Sequence, residues 1–102
     1  MTKVKVLKNE NEQEIEVKGH SNYKESGSDI VCSSISTACI MTANLIDKLG
    51  YGYNIIKLVC DDGYFRLVIK NDNEIINNVF DNLVETLKSL ETQYPKNIKI
   101  EN

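Results

Sequence analysis

The sequence predicts an α+β protein, a two-layer sandwich in which two helices cover one face of a mostly antiparallel sheet. Two kinds of pattern support this: short strand-like stretches, which either alternate apolar and polar residues or are apolar and β-branched, and two long stretches with apolar residues at helical spacing. The strand-like stretches come in pairs, and each pair precedes a helical stretch. The predicted order is therefore ββαββα with a short C-terminal strand. At 102 residues the chain is expected to form a single domain, residues 1–102.

The first two predicted strands form a hairpin. Residues 2–8 alternate apolar and charged side chains, and residues 14–18 alternate again. Residues 9–12 between them are a polar turn, which is typical of a hairpin connection. The hairpin is followed by residues 19–28, which show no hydrophobic period and contain Gly19 and Gly27. This segment is predicted to be a loop.

The first helix is predicted to begin at Ser28 or Asp29, because either side chain can cap an unpaired first-turn amide. It is expected to run to about Leu49 and to end at Gly50. Cys32 then lies in its first turn, near one border of the apolar stripe. Positions at helical spacing predict a buried stripe of Val31, Ile35, Ala38, Thr42, Leu45, Ile46 and Leu49. Ile40 and Met41 fall outside this stripe and are predicted to be surface residues or a dimer contact.

The second half of the chain repeats the pattern. Residues 55–60 and 64–70 are apolar and rich in β-branched residues, and Asp61-Asp62-Gly63 between them predicts a tight hairpin. Asn71 or Asp72, with Glu74 following, is predicted to cap a second helix that ends before Tyr94-Pro95. Residues 98–100 are predicted to add a short strand. The apolar stripe of this helix consists of Ile76, Val79, Phe80, Leu83, Val84, Leu87 and Leu90.

Composition disfavours two classes of partner. Twelve basic residues against fifteen acidic ones give a net charge of −3, and Arg66 is the one arginine, so direct nucleic-acid binding is not expected. Charged residues interrupt the N-terminal stretch, and no segment is predicted to supply the roughly 20 apolar residues that cross a bilayer. An odd number of cysteines, three, fits a reducing compartment. We therefore expect a cytoplasmic protein without membrane contact.

The chemistry of the chain is expected at His20 and Cys32. His20 is the single histidine and ends the second predicted strand, whereas Cys32 begins the first predicted helix. A helix N-terminus and a neighbouring imidazolium both favour the thiolate, which is the nucleophilic form of cysteine. The pattern indicates a cysteine nucleophile with a histidine base.

Three further residues are candidates for orienting or binding the substrate. Amides near Cys32 and Ser33 are expected to bind an oxyanion, and the small side chain of Ser33 leaves room for a peptide. Asp29 has two interpretations, a helix cap or a carboxylate that orients His20. Tyr23, in the predicted loop, is a candidate substrate contact or a plain surface residue.

A structural role for the cysteines is the alternative. Cysteine is often buried, and Cys39 is predicted to lie in the core and Cys60 in the core or at an edge. Cys32 and Cys39 stand about 10.5 Å apart along a helix axis, too far to share a zinc ion or form a disulfide. Asp61 and Asp62 are explained by the hairpin turn. Neither a metal nor another cofactor is predicted.

Gly19-His20, followed by Gly27-x-Asp29-Ile30-Val31-Cys32-Ser33, resembles the Prp family, the ribosomal-processing cysteine proteases of Firmicutes and related bacteria. The resemblance extends over the whole chain, including the Tyr94-Pro95 tail. The family usually has alanine after the histidine and after the cysteine, where this chain has Ser21 and Ser33. These differences bear on substrate preference more than on the chemistry.

The resemblance implies a homodimeric α+β protease with a catalytic dyad of His20 and Cys32. It also implies a substrate, the precursor of large-subunit ribosomal protein twenty-seven, whose N-terminal extension is removed after a hydrophobic motif. The 19–27 loop is then expected to close over this peptide. A different class of function stays open at this point: a non-catalytic, ribosome-associated binding module with Cys32 as a structural residue.

Overall fold

A computed structural model describes the backbone of residues 1–19 and 28–102, and the side chains of these residues except Ser28 and Asp29. The predicted order ββαββα with a short final strand is confirmed. The predicted loop lies, apart from its two end residues, outside the described residues. The elements are β1 (Thr2–Lys8), β2 (Glu12–Lys18), α1 (Ser28–Lys48), a 3₁₀ turn (Gly52–Asn54), β3 (Ile55–Asp61), β4 (Tyr64–Lys70), α2 (Glu74–Gln93) and β5 (Ile98–Glu101).

The five strands form one sheet in the order β3-β4-β2-β1-β5. All neighbours are antiparallel except β1 and β5, which are parallel. The β1–β2 turn is held by Asn9, whose side-chain oxygen accepts hydrogen bonds from the amides of Asn11 (2.8 Å) and Glu12 (2.9 Å). Two hairpins and one parallel closing strand thus build the sheet, and β3 lies at one edge of it.

The core lies between one face of the sheet and both helices. Alternate residues of β2 and β4 are buried, and the same cluster includes buried residues from α1 and α2. This confirms that both helices cover the same face. The residues that expose no more than 1% of their surface include Val4, Ile15, Leu67, Ile69, Phe80, Leu83, Leu87 and Ile98.

The buried face of α1 differs in part from the predicted stripe. Val31, Ile35 and Ile46 are buried as predicted, but Leu45 and Leu49 are 44% and 47% exposed. Cys39 and Ala43 are buried in addition. The spacing misplaced the stripe because α1 carries apolar residues on nearly all sides, so the 3.6-residue period is weak.

The prediction that no segment is long and apolar enough to cross a bilayer is wrong for α1. By length and composition, Ile30–Lys48 meets that requirement. Its apolar character is divided between a face that packs on the sheet and a face that includes the exposed side chains of Ile40 and Met41. The two residues lie outside the buried stripe, as predicted.

The cap of α2 is one residue later than predicted. The side chain of Asn73, and neither Asn71 nor Asp72, accepts a hydrogen bond from the first-turn amide of Ile76 (3.1 Å). Asp72 instead accepts a hydrogen bond at 3.1 Å from the buried side chain of Asn54. The predicted stripe of α2 is confirmed, since its seven residues are buried or half-buried.

Asn71 has another partner. The buried amide of Gln13 on β2 donates to Asn77 on α2 at 2.9 Å, and Asn77 donates to Asn71 at 2.9 Å. Asn71 in turn donates to the carbonyl of Asn9 in the first hairpin. This chain of amides satisfies a polar group inside the core and joins the first hairpin to the second helix.

Candidate active site

Cys32 lies one or two residues further into α1 than predicted. The helix begins at Ser28, so Asp29 is its second residue and Cys32 its fifth. Ser28 and Asp29, the two predicted caps, are therefore helical residues, and the residue before Ser28 lies outside the described residues. In a regular helix the amides of Cys32 and Ser33 donate to carbonyls four residues earlier. That amides near Cys32 and Ser33 bind an oxyanion stays a prediction.

The first turn of α1 carries amides that the helix itself does not use. The amides of residues 28–30 have no acceptor within α1, because they belong to its first turn. The Cα–Cβ bonds of a helix tilt towards its N-terminus, so the half-buried Cys32 side chain leans over that turn. The thiol therefore lies near the positive end of the helix dipole.

A cavity of about 200 Å³ opens beside Cys32. It is formed where the beginning of β1, the end of β2, the first half of α1 and the β3–β4 turn meet. Its lining residues are Thr2, Val17, Gly19, Cys32, Ile35, Ser36, Cys39, Ile40, Cys60, Asp61, Asp62, Gly63, Tyr64 and Phe65. The cavity is large enough for a side chain of a peptide and carries a thiol on its wall.

Gly19 is fixed in this wall by close backbone contacts. Its amide donates to the carbonyl of Gly63 at 3.1 Å, which joins the end of β2 to the β3–β4 turn. Its φ is +145°, and a Cβ built on it would lie 2.7 Å from the carbonyl oxygen of Met1 and 2.8 Å from the Cα of Thr2. Only glycine fits this position without displacing β1. The residue that precedes position 20 is therefore held in the wall of the cavity by backbone contacts.

The predicted hairpin turn also contributes to the cavity. Gly63, with φ +74°, occupies the left-handed position of the turn. Asp61 and Asp62 are exposed and line the cavity on the side opposite β1. From the sequence, turn formation explained both aspartates. Their position in the same cavity as Cys32 could not be predicted, because it depends on the order of the strands in the sheet.

The remaining predicted site residues have different outcomes. His20 and Tyr23 lie outside the described residues, as does the side chain of Asp29. Ser33 is exposed and is not among the residues that line the cavity. Ser36, another small residue that the sequence places near Cys32, does line it, since residues four apart share a helix face.

Cys39 is a core residue, as predicted. It is 1% exposed, and burial, followed by the nearby Cys60 thiol, raises the pKa of Cys39 from its ordinary 9.0 to about 12. Cys60 does not pack in the core. It is an exposed residue of the edge strand β3.

The raised pKa of Cys39 predicts a loss of stability at alkaline pH. An unfolded thiol ionises near pH 9, whereas the folded one resists until about pH 12. The stabilisation is therefore complete below pH 9 and is lost as the pH rises through this window, by at most about 1.4 kcal/mol per pH unit. Urea unfolding of the native chain and of Cys39→Ala at pH 8 to 11 measures the difference. Parallel pH profiles would contradict it.

Within residues 1–19 and 28–102, no three histidine, cysteine, aspartate or glutamate side chains lie close enough to hold a metal ion. The cavity residues of this part of the chain offer a thiol, carboxylates, hydroxyls and apolar side chains. Their arrangement suits binding and covalent attack on a peptide.

Solved structures with the same fold are known. The chain superposes on an essential ribosomal processing protease Prp from S. aureus in complex with a substrate peptide, with a TM-score of 0.82, 23% identity, and coverage of 99% of this chain and 98% of that one. For a complex of the S. aureus protease with a covalently linked product peptide, the TM-score is 0.78 and the identity 24%, with coverage of 99% of this chain and 98% of that one. For SMU.848 from Streptococcus mutans, the TM-score is 0.81 and the identity 21%, with coverage of 99% of this chain and 92% of that one. The shared fold is an α+β sandwich.

The sequence comparison identifies the family. The profile of the family "Cysteine protease Prp" matches residues 1–99 of this chain. A search of the curated proteins finds no relative. The chain belongs to the Prp family of cysteine proteases, and the prediction from the Gly-His and Asp-Ile-Val-Cys segments is confirmed.

Proposed function

We propose that this protein is an endopeptidase in which Cys32 is the nucleophile and His20 the general base. The proposed substrate is the precursor of large-subunit ribosomal protein twenty-seven, from which the enzyme removes an N-terminal extension. The observation that carries the proposal is the half-buried thiol of Cys32 on the wall of a cavity that can take one side chain of a peptide, in a chain whose residues 1–99 match the Prp family.

The position of Gly19 supports the assignment of His20. Gly19 lines the same cavity as Cys32, and His20 is the next residue of the chain. The close contacts of Gly19 with Met1 and Thr2 fix the point from which the chain continues to the histidine. His20 is also the only histidine available as a base near neutral pH.

The proposed reaction has two steps. His20 takes the proton of the Cys32 thiol, Sγ attacks the scissile carbonyl carbon, and His20 returns the proton to the leaving amine as the C–N bond breaks. Water, deprotonated by His20, then attacks the thioester, so that the new C-terminus leaves and Sγ regains its proton. In this proposal the first-turn amides of residues 28–30 stabilise the oxyanion in both steps.

The similarity to the S. aureus protein supports a ribosomal substrate, since that relative is a ribosomal processing protease solved with a substrate peptide. A homodimer and a cytoplasmic location also belong to the proposal. The exposed apolar side chains of Ile40 and Met41 on α1 supply a surface for the dimer contact.

The test uses the purified chain and the ribosomal-protein precursor. We expect one cut within the N-terminal extension, located by mass spectrometry and N-terminal sequencing, and no cut in the same protein lacking the extension. Alkylation of Cys32 before mixing should prevent the cut. Binding of the precursor without cleavage would overturn the proposal and would support a ribosome-associated binding module instead.

A further inference from the structure

Cys60 has an unusual position at the edge of the sheet. It pairs with the buried residue Phe65 of β4, so its side chain points to the side of the sheet that the helices cover. The helices leave this edge open, because Cys60 is exposed and Leu58, two residues earlier on the same side, is 45% exposed. The thiol of Cys60 therefore faces α1 and is accessible to solvent.

All three cysteines of the chain line the same cavity. Cys32 and Cys39 reach it from α1, and Cys60 reaches it from β3. All three thiols are free. Peptide hydrolysis needs one thiol, so the mechanism above leaves the exposed thiol of Cys60 without a role.

The three thiols differ in their access to solvent: Cys32 and Cys60 are accessible, whereas Cys39 is buried. Cys39 is 1% exposed and stays protonated, because burial raises its pKa to about 12. Cys39 also stands seven residues from Cys32 on one helix, about 10.5 Å along the axis, beyond disulfide reach. Cys32 and Cys60 are the two accessible thiols of the cavity. In the described part of the chain they do not belong to a cluster of three metal ligands.

We propose that Cys60 is a resolving thiol, which forms a reversible disulfide with Cys32 after a hydroperoxide has oxidised Cys32. The proposal rests on the proposed function only in taking Cys32 as the reactive thiol. The end of β3 is suited to the required movement, because an edge strand is hydrogen-bonded to a neighbour on one side only and Cys60 lies just before the Asp62-Gly63 turn.

The chemistry balances in two steps. The Cys32 thiolate attacks the O–O bond of the hydroperoxide, an S–O bond forms, and the other oxygen leaves and takes a proton, so Cys32 becomes a sulfenic acid. The Cys60 thiolate then attacks that sulfur, an S–S bond forms, and the sulfenic oxygen leaves as water with the proton that Cys60 releases. A dithiol reductant restores both thiols. The disulfide blocks attack on peptides and protects Cys32 from irreversible oxidation to the sulfinic acid.

The experiment treats the full chain with hydrogen peroxide and follows intact mass, peptide maps under non-reducing conditions, and peptide cleavage. The native chain should lose two hydrogens, show a Cys32–Cys60 link, lose cleavage, and recover it with dithiothreitol. Cys39→Ala is the matched control and should behave in the same way. Cys60→Ser should instead gain oxygen atoms on Cys32 and lose the activity irreversibly.

Other results would overturn the proposal. They are recovery of Cys60→Ser to the same extent as the native chain, a link that joins Cys39 to Cys60, or links only between molecules. Failure of the proposed function is distinguishable, because it would appear without peroxide, as cleavage that persists in Cys32→Ala. The disulfide itself is detected by mass and does not depend on any activity.

Discussion

Replacing Cys32 by alanine should lower the rate of precursor cleavage by a factor on the order of 10⁴ to 10⁶, since a nucleophile and its base act as a unit. The side chain is half-buried on the wall of the cavity, so its loss removes the attacking atom and little packing. The thermal unfolding temperature should therefore stay close to that of the native chain. Single-turnover cleavage and circular dichroism, measured on the same preparation, give both quantities.

Two further variants test whether the loss of cleavage is specific to the proposed dyad. Cys60→Ala removes an exposed thiol from the same cavity and should cleave at the native rate in the presence of reductant. His20→Ala should lose a comparable factor, on the order of 10⁴ to 10⁶, because the base and the nucleophile act as a unit. Cleavage by Cys32→Ala at a rate within tenfold of the native one would end the assignment of the nucleophile.

Replacing Gly19 by alanine should destabilise the fold by about 2–6 kcal/mol. Two effects contribute, each about 1–3 kcal/mol. One is backbone strain at φ +145°, and the other is overlap of the new methyl group with the carbonyl oxygen of Met1, 2.7 Å away. Both close contacts are with backbone atoms of β1, so neither can be relieved by a rotamer change. Urea unfolding measures the loss, and cleavage should fall as well, because the chain leaves Gly19 directly for His20.

Gly50→Ala is the matched control. Gly50 also has a positive φ, +85°, but no atom lies within 4 Å of a Cβ built there. It ends α1, with its amide donating to the carbonyl of Asp47 at 2.9 Å. This variant should lose only the conformational cost, about 1–2 kcal/mol, and keep its cleavage rate. Equal losses in the two variants would show that the contact with β1 is unimportant.

Much of the fold could be predicted from the sequence because its signals are local. Alternation defined the strands of the first hairpin, and apolar, β-branched runs defined those of the second. Residues 61–63 defined the second turn, where Gly63 has the expected positive φ. The spacing of apolar residues in α2 predicted its buried face because its other face is polar. In α1 the same reasoning misplaced Leu45 and Leu49, since apolar residues are found around most of that helix.

The candidate site was predicted less completely, because much of it is assembled by contacts distant in sequence. The sequence predicted Cys32 as the nucleophile and placed it in the first turn, whereas it is the fifth residue of α1, because Ser28 and Asp29, both good caps by type, are helical. Cys60 and Asp61 join the cavity because β4 pairs with β2, a partnership that strand patterns do not reveal. The fixed position of Gly19 depends on Met1 and Thr2, seventeen or more residues earlier.

The parallel pairing of β5 with β1 has a consequence for biosynthesis. Thr2, which forms part of the cavity wall, donates its amide to the carbonyl of Asn97 and pairs with Ile98. These partners are separated by more than ninety residues, so the contact forms only after β5 has been synthesised and has left the ribosome. The wall of the cavity at Thr2 is therefore unpaired on this side until β5 has emerged.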